Sequence, residues 1–458
     1  MKDITNQFEH DICMWDNTHI FASRPIRTPE STLVERVEVN PDLYYRINDH
    51  IKVRKEEFGC LIQNQEAYTI KCFDDAAYAL ICRLREPVKG SELLQLVNQS
   101  DVSFLEERLG DLTLKPFETQ PTESKAEFFD HVLNDGVPMS APIAVEIELT
   151  RKCNRHCYYC AYDSSPSVDT SGELDTETWF SILRESRDAG AVSIEFTGGD
   201  PLTRSDGLQI LEYADQLGFL YTINSDLTNL PDSDIAKLAT FKNLVAVQTT
   251  IDGASEEIHD YYRGKGGFVR TIASDKRLVT FGIPVGAGMI ISKFNYNQVP
   301  AVADLCAELG ISYFFVGGLY VAGRSSDMAD EVPSNEELAI ASQSFAEAVF
   351  SGKVRPAHPS FYRHEKALKA SPNTFNHLKD QPYMASSGVD TLRFEPSGKC
   401  YISIKLQNNT DLFYVGDAKT TPILKIWHQS EQLNQLRKTY EKHGSTNFHG
   451  LDIRLIQN

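Results

Sequence analysis

Cys153, Cys157 and Cys160 stand in LTRKCNRHCYYCAY with the spacing C-x3-C-x2-C. Three thiolates within so short a stretch can hold a metal centre. If that centre is a [4Fe-4S] cluster, only three of its four irons receive a protein ligand, and the fourth stays open for chemistry. With 9 Cys in 458 residues, chance produces this spacing well under roughly one time in a hundred, so the triplet marks a metal site. The other donor set open to it is a structural zinc site completed by His156 or a distant residue. A zinc fold usually brings a second ligand pair at short spacing, and none follows this triplet.

The elements that must position these thiols are legible from Ile143 onward, where strand and helix patterns alternate. The strand candidates are AVEIEL, SIEFTG, LYTIN, LVAVQTTI, VGAGMII and YFFVGG. Between them lie the helical patterns TETWFSILRESRDAG, GLQILEYADQLG, SDIAKLATF, GFVRTIASDKRLVTFG and QVPAVADLCAELG. Repeating units of this length predict a parallel sheet with helices outside, either a barrel or an open α/β sheet. Ligands gather at the carboxyl ends of the strands in that architecture. The triplet follows the first strand, at that end.

Other regions flank this core of residues 142–350. Residues 1–43 are polar and poorly periodic and form an N-terminal extension. Residues 44–117 read as a small α+β domain: HIKVRKEEFGCLIQ and EAYTIKCF alternate as strands do, and DDAAYALICRL is helical with Asp74 or Asp75 as its N-cap. GSELLQLVNQ and DVSFLEERLGDL add two short helices, which suits a compact winged-helix-like module. Residues 118–141 are polar and proline-bearing, with one short amphipathic piece, AEFFDHVLND, and read as a linker. Residues 351–458 are mixed α+β, with a strand pair around the Pro396–Ser397–Gly398 turn.

Composition narrows the function further. The net charge of −19 argues against nucleic acid, which needs clustered Lys and Arg. No charged-then-apolar N-terminal signal and no run of eighteen apolar residues occurs, so a soluble, cytoplasmic protein without a membrane partner is expected. Cys13, Cys60, Cys72, Cys82, Cys306 and Cys400 are scattered without a disulfide-like pattern, which fits a reducing compartment.

The Cys153-x3-Cys157-x-Tyr159-Cys160 segment after a first strand resembles the radical S-adenosylmethionine (SAM) enzymes, whose third cysteine typically follows an aromatic residue, here Tyr159. Thr197-Gly198-Gly199-Asp200-Pro201, directly after SIEF, is similar to the family's Gly-Gly-Glu-Pro segment, with Asp in place of Glu. Glycines there let backbone carbonyls approach the ammonium group of SAM. VQTTIDGASEEIHDYYRGKGGFVRTI resembles the fourth-strand segment of the subfamily with C-terminal SPASM or twitch extensions. By that resemblance Thr250 and Arg263 hold the SAM carboxylate, and a planar guanidinium suits a carboxylate. Asn224, in TINSDLTN, falls where many relatives have Thr-Asn-Gly and would line the SAM pocket; the glycine is absent here.

The 44–117 module resembles the peptide-chaperone fold of pyrroloquinoline-quinone biosynthesis, also called the RiPP recognition element, after ribosomally synthesised and post-translationally modified peptides. Such modules bind a leader peptide by adding it as a strand to a sheet edge. The C-terminal VDTLRFEPSGKCYISI and LFYVGDAKTTPILKIWHQSEQLNQLRK resemble the SPASM layout, including Gly416-Asp417 and the helix start at Ile426-Trp427. SPASM domains usually carry several cysteines for auxiliary clusters. Cys306 and Cys400, the candidates beyond the triplet from the core onward, cannot supply the three or four thiolates required.

The resemblance therefore implies a partial (β/α)6 TIM-type barrel between an N-terminal winged-helix-like domain and a small C-terminal α+β domain. It implies one [4Fe-4S] cluster on Cys153, Cys157 and Cys160, SAM on the open iron, and an external donor of the flavodoxin or ferredoxin type. Reductive cleavage would yield a 5′-deoxyadenosyl radical that abstracts hydrogen from a precursor peptide bound by its leader. The product would be a cross-link, an inverted α-carbon or a related C–H modification. Lacking an auxiliary cluster as electron acceptor, the site favours redox-neutral outcomes such as epimerisation. Cys400 reads as a small buried hydrophobe or as a thiol hydrogen donor, and Cys306 as core. The rival readings are a free small-molecule substrate and a non-catalytic peptide-binding protein with a structural metal.

Overall fold

The structure is a computed structural model that describes residues 37–443, except 57–58, 66–68, 98, 111, 130–138, 228–229, 320–322, 356–390 and 403–413. Cys13 and most of the expected N-terminal extension lie outside the described residues. The described chain falls into two compact units that divide after Ser140.

The first unit contains β1 (Tyr44–Ile47), β2 (Ile51–Glu56), β3 (Gly59–Asn64), β4 (Thr69–Phe73), α1 (Asp75–Arg83), β5 (Val88–Lys89), α2 (Gly90–Leu96), α3 (Gln99–Gly110), β6 (Leu114–Phe117) and β7 (Glu127–Phe129). β2, β3 and β4 form an antiparallel meander. Gly59 is obligatory at its corner, because a Cβ there would lie 2.1 Å from the Phe73 carbonyl oxygen. Asp74 caps α1 by accepting from the Ala77 N–H. Ile47, Ile51, Val53, Ile81, Leu84, Leu93 and Leu105 close a single apolar core. Residues 118–141, read as a linker, instead give β7, which pairs in parallel with β2. Phe129 is buried there, so the AEFF run forms an edge strand where an amphipathic piece was expected.

The second unit contains β8 (Ala144–Thr150), α4 (Thr176–Asp188), β9 (Ser193–Gly198), α5 (Gly207–Gln216), β10 (Leu220–Asn224), α6 (Asp232–Leu238), β11 (Leu244–Thr250), α7 (Glu256–Arg263), α8 (Gly267–Thr280), β12 (Val285–Ile291), α9 (Val299–Leu309), β13 (Tyr313–Gly318) and α10 (Asn335–Phe350). β14 (Thr391–Phe394), β15 (Lys399–Tyr401), β16 (Tyr414–Asp417), α11 (Ile423–Gln429) and α12 (Glu431–His443) follow. β8 to β13 pair in chain order, all parallel, as a partial (β/α)6 barrel. β14 adds in parallel to the free edge of β8, and β15 and β16 continue antiparallel. The C-terminal strands thus extend the core sheet and do not form a sheet of their own.

Strand alternation sorts the side chains by face. Tyr221 bonds Asp215 of α5, and Thr249 lies against Asp275 of α8, so these residues mark the helix-packed face. Glu146, Glu148, Glu195, Asn224, Gln248 and Thr250 alternate with such positions and line the inner face. Each parallel strand meets a layer on both sides, which is why most of its helix-packed positions are apolar.

Candidate functional site

The loop after β8 carries Cys153, Cys157 and Cys160, all free thiols, with Cys157 8% exposed. Several elements shape it. The Cys153 N–H donates to the Ser165 carbonyl at 3.2 Å, and the Tyr158 N–H to the Tyr262 carbonyl at 2.8 Å. Arg324, in the 3-10 turn Gly323–Asp327 beyond β13, donates from Nε to the Cys157 carbonyl at 2.9 Å and from Nη2 to that of Ser164 at 2.8 Å. Its backbone N–H reaches the Cys160 carbonyl at 3.1 Å. Gly323 makes this approach possible, since a Cβ there would stand 2.5 Å from the Ala161 carbonyl oxygen. Sequence reading missed Arg324. Its one signal was a Gly-Arg pair beyond the last barrel strand. Arg324→Met should strip two loop carbonyls of their charged donor, at about 1.5–3 kcal/mol per bond. Iron retained after anaerobic reconstitution, measured beside the melting temperature, should fall with it.

The Gly198–Pro201 segment faces the start of the same loop. Gly198 has φ +114°, and a Cβ on it would lie 2.3 Å from the Thr150 carbonyl oxygen; on Gly199 it would lie 2.1 Å from that of Lys152. The Gly199 N–H donates to the Thr150 carbonyl at 2.7 Å and the Asp200 N–H to the Lys152 carbonyl at 2.8 Å. In this structure the glycines serve the contact between β9 and the cysteine loop. Asp200 is buried, accepts from the Ser225 hydroxyl at 2.7 Å and the Leu202 N–H at 3.0 Å, and caps the 3-10 turn begun by Pro201. Burial, with Asp226 nearby, pushes its carboxyl up to about 7. Asp226 in turn pairs with Arg155 from within the cysteine loop.

At the carboxyl end of β11 stand Thr250, its last residue, and Arg263, the last residue of α7. Arg263 Nη1 donates to the Tyr159 hydroxyl at 3.3 Å, and that hydroxyl donates to the buried Asp252 carboxylate. Arg263 Nε is buried without a hydrogen-bond partner among the described residues. The backbone N–H of Asp252 donates to His259 Nδ1 at 3.3 Å. Burial drives that imidazole down to about 3, so it is neutral and acts as an acceptor. Tyr159 thus ties the cysteine loop to the β11 end, where a buried guanidinium keeps a donor in reserve.

The donor set suits an iron–sulfur centre. Burial raises the Cys153 thiol to about 12 and also raises Cys157, while Arg263 and Arg155 favour the Cys157 thiolate. A bound metal deprotonates such thiols outright. Among the described residues no three His, Cys, Asp or Glu side chains converge as the ligands of a single ion do. A cluster places each thiolate on a different iron and makes no such demand.

Further along the inner face, Arg393 of β14 is buried against Glu146 at 2.9 Å and Glu148 at 3.0 Å, and donates to the Tyr162 hydroxyl of the cysteine loop. Asn224 donates to Glu195 at 2.8 Å and Thr197 at 3.0 Å. Cys400 is elsewhere. It pairs with Phe394, which is in register with Ile147 on the helix-packed face, and Glu185 of α4 lies nearby. The fully buried Cys400 thiol thus lies on the face opposite Arg393, which does not suit a hydrogen donor to a substrate on the inner face. Cys306 is buried in α9, as expected of core.

Residues 147–306 match the radical SAM superfamily. An AdoMet-dependent heme synthase of Methanosarcina barkeri is 26% identical over 314 residues, 67% of this chain and 87% of its own. The sporulation killing factor maturation protein SkfB of Bacillus subtilis is 29% identical over 218 residues, 47% and 52% of the two chains. The structure of Streptococcus suis SuiB, solved with S-adenosylmethionine and with precursor peptide SuiA, superposes with a TM-score of 0.63 at 16% identity, covering 86% of this chain and 90% of SuiB. The chain carries a radical SAM domain, and such a domain works with a [4Fe-4S] cluster and SAM.

Proposed function

We propose that this radical SAM enzyme modifies a ribosomally made precursor peptide, whose leader docks on the unit of residues 44–117 and whose core segment is presented to the carboxyl ends of β8 to β13. The observation that carries the reading is the extent of the SuiB likeness: 86% of the chain is more than residues 141–458 alone supply, so it reaches into the N-terminal unit. That unit's meander also gives an extended peptide a sheet edge to join.

Cys153, Cys157 and Cys160 would hold the one proposed cluster. Cys306 and Cys400 sit in α9 and β15, toward opposite ends of the sheet, which does not suit a second one. Thr250 and Arg263 would take the SAM carboxylate, with Gly198, Gly199, Asp200, Pro201, Asn224 and Tyr159 shaping the surrounding wall. When bound, the cluster and SAM supply one-electron chemistry that generates a hydrogen-abstracting 5′-deoxyadenosyl radical, fed by a donor of the flavodoxin or ferredoxin type. The protein's own part is to orient the substrate and exclude competing reactions. Without an auxiliary acceptor, redox-neutral chemistry such as epimerisation is favoured over oxidative cross-linking.

The heme-synthase relative supports a second reading, a free small-molecule substrate. Truncation of residues 1–116 separates the two. Leader-bearing peptide encoded beside the gene should be modified on co-expression with the full chain, read by mass spectrometry, and left untouched by the truncated one. Turnover that survives truncation would discard leader docking. Anaerobic reconstitution should give a [4Fe-4S] EPR signal that changes on SAM addition and is absent after Cys157→Ala. Zinc bound in place of iron would reject the enzyme.

A further inference from the structure

Asn224 and Gln248 are in-register partners on β10 and β11, and Gly286 of β12 is the next residue in that row. Ile223 and Thr249 turn to the helix-packed face, so Asn224 and Gln248 share the inner face, with Thr222 one pleat below. Asn224 Nδ2 gives its two hydrogens to Glu195 and Thr197, which fixes the amide and leaves Oδ1 as an acceptor. Asn224 Oδ1, Gln248 Nε2 and Thr222 Oγ1 are buried and have no hydrogen-bond partner among the described residues. Thr222 is only 2% exposed. Beside them Gly286 adds no side chain to the row, and a Cβ placed there would meet Gln248 Cγ at 3.7 Å, an ordinary van der Waals contact.

Buried polar atoms are nearly always partnered, so three that are not, on one face of two adjacent strands, call for a ligand. The row offers a neutral acceptor and a neutral donor on adjacent strands, about 4.8 Å apart in the sheet. An extended peptide residue turns its own N–H and C=O to one side, as in the doubly bonded pair of an antiparallel ladder. We propose that Asn224 and Gln248 form a subsite for the backbone of one substrate residue, Asn224 Oδ1 accepting its N–H and Gln248 Nε2 donating to its C=O. Bonds on both sides of an α-carbon hold that carbon in place without regard to side chain. The inference deepens the peptide-substrate reading and rests on it.

The test uses the reconstituted full chain and two small probes, N-acetyl-L-alanine N′-methylamide and O-acetyl-L-lactic acid N′-methylamide, in which an ester oxygen replaces the alanine N–H. Ligand-observed saturation-transfer NMR gives both affinities. The amide should bind wild type at least fivefold more tightly than the ester, as the loss of one neutral hydrogen bond implies. Gln248→Met keeps length and apolar stem but removes the donor, and should weaken the amide fivefold or more with SAM affinity unchanged. Equal affinity for the two probes on wild type, which requires no variant to fold, overturns the subsite. So does a Gln248→Met chain that loses SAM and keeps the amide, because the pair would then serve the nucleoside. The probes carry no leader, so leader dependence and amide preference fail independently.

Discussion

Gly199→Ala should leave a chain whose cysteine loop has lost its seat. The new Cβ would lie 2.1 Å from the Lys152 carbonyl oxygen, 2.6 Å from its carbon and 2.7 Å from the Arg151 carbonyl oxygen. All three are backbone atoms, so no rotamer change relieves the clash. Either β9 or the loop must withdraw, breaking the 2.7 Å bond from the Gly199 N–H to Thr150 and the 2.8 Å bond from the Asp200 N–H to Lys152. Overpacking combined with two lost bonds should cost about 3 kcal/mol or more. Thermal denaturation should show a lowered midpoint, and anaerobic reconstitution should leave iron near background, since Cys153 follows Lys152 directly. Gly172→Ala is the control, because a Cβ there meets nothing within 4 Å. Wild-type iron content and melting temperature in Gly199→Ala would show that the motif does not support the loop.

Arg263→Met should separate two duties of one guanidinium. Nη1 is engaged with Tyr159 at 3.3 Å, while Nε is buried and unbonded among the described residues. A carboxylate arriving at Nε forms a charge-assisted bond worth about 1.5–3 kcal/mol, so removing it should weaken SAM binding roughly 10- to 100-fold. The same change deprives the buried Asp252 of a nearby cation, and breaking buried charge compensation commonly costs about 3–5 kcal/mol. Arg263→Lys keeps the charge but not the planar fork. It should recover much of the stability and little of the SAM affinity. Equilibrium binding of SAM, measured beside thermal melts of both variants, reads the two duties separately. Wild-type affinity in Arg263→Met, with only the melt lowered, would reduce Arg263 to a structural cation.

Most of the second unit was legible because its patterns are local. The six barrel strands stand where the alternating apolar segments put them, and the intervening helices follow their periodicity. The pairings made across long stretches of chain were not legible. β7 is a three-residue strand whose AEFF pattern cannot name β2 as its partner, since edge pairing is decided by which backbone groups remain open. In the same way, nothing in TLRF says that β14 will join β8 and bury Arg393 against Glu146 and Glu148.

The candidate site divides along the same line. The residues alone determined the thiol triplet, the glycine pair and the Thr250 and Arg263 positions, because metal, turn and carboxylate chemistry each demand particular residue types at short spacing. They did not determine why the glycines are needed, which face Cys400 takes, or that Arg324 closes on the loop carbonyls from beyond β13. Those depend on distances between segments far apart in the chain. Only the packed sheet brings the Thr150 carbonyl within 2.7 Å of the Gly199 nitrogen and the Lys152 carbonyl within 2.8 Å of the Asp200 nitrogen. Only its register puts Phe394 and Cys400 on the face away from Arg393. A side chain's type sets what it can do, and the tertiary packing decides which surface it does it on.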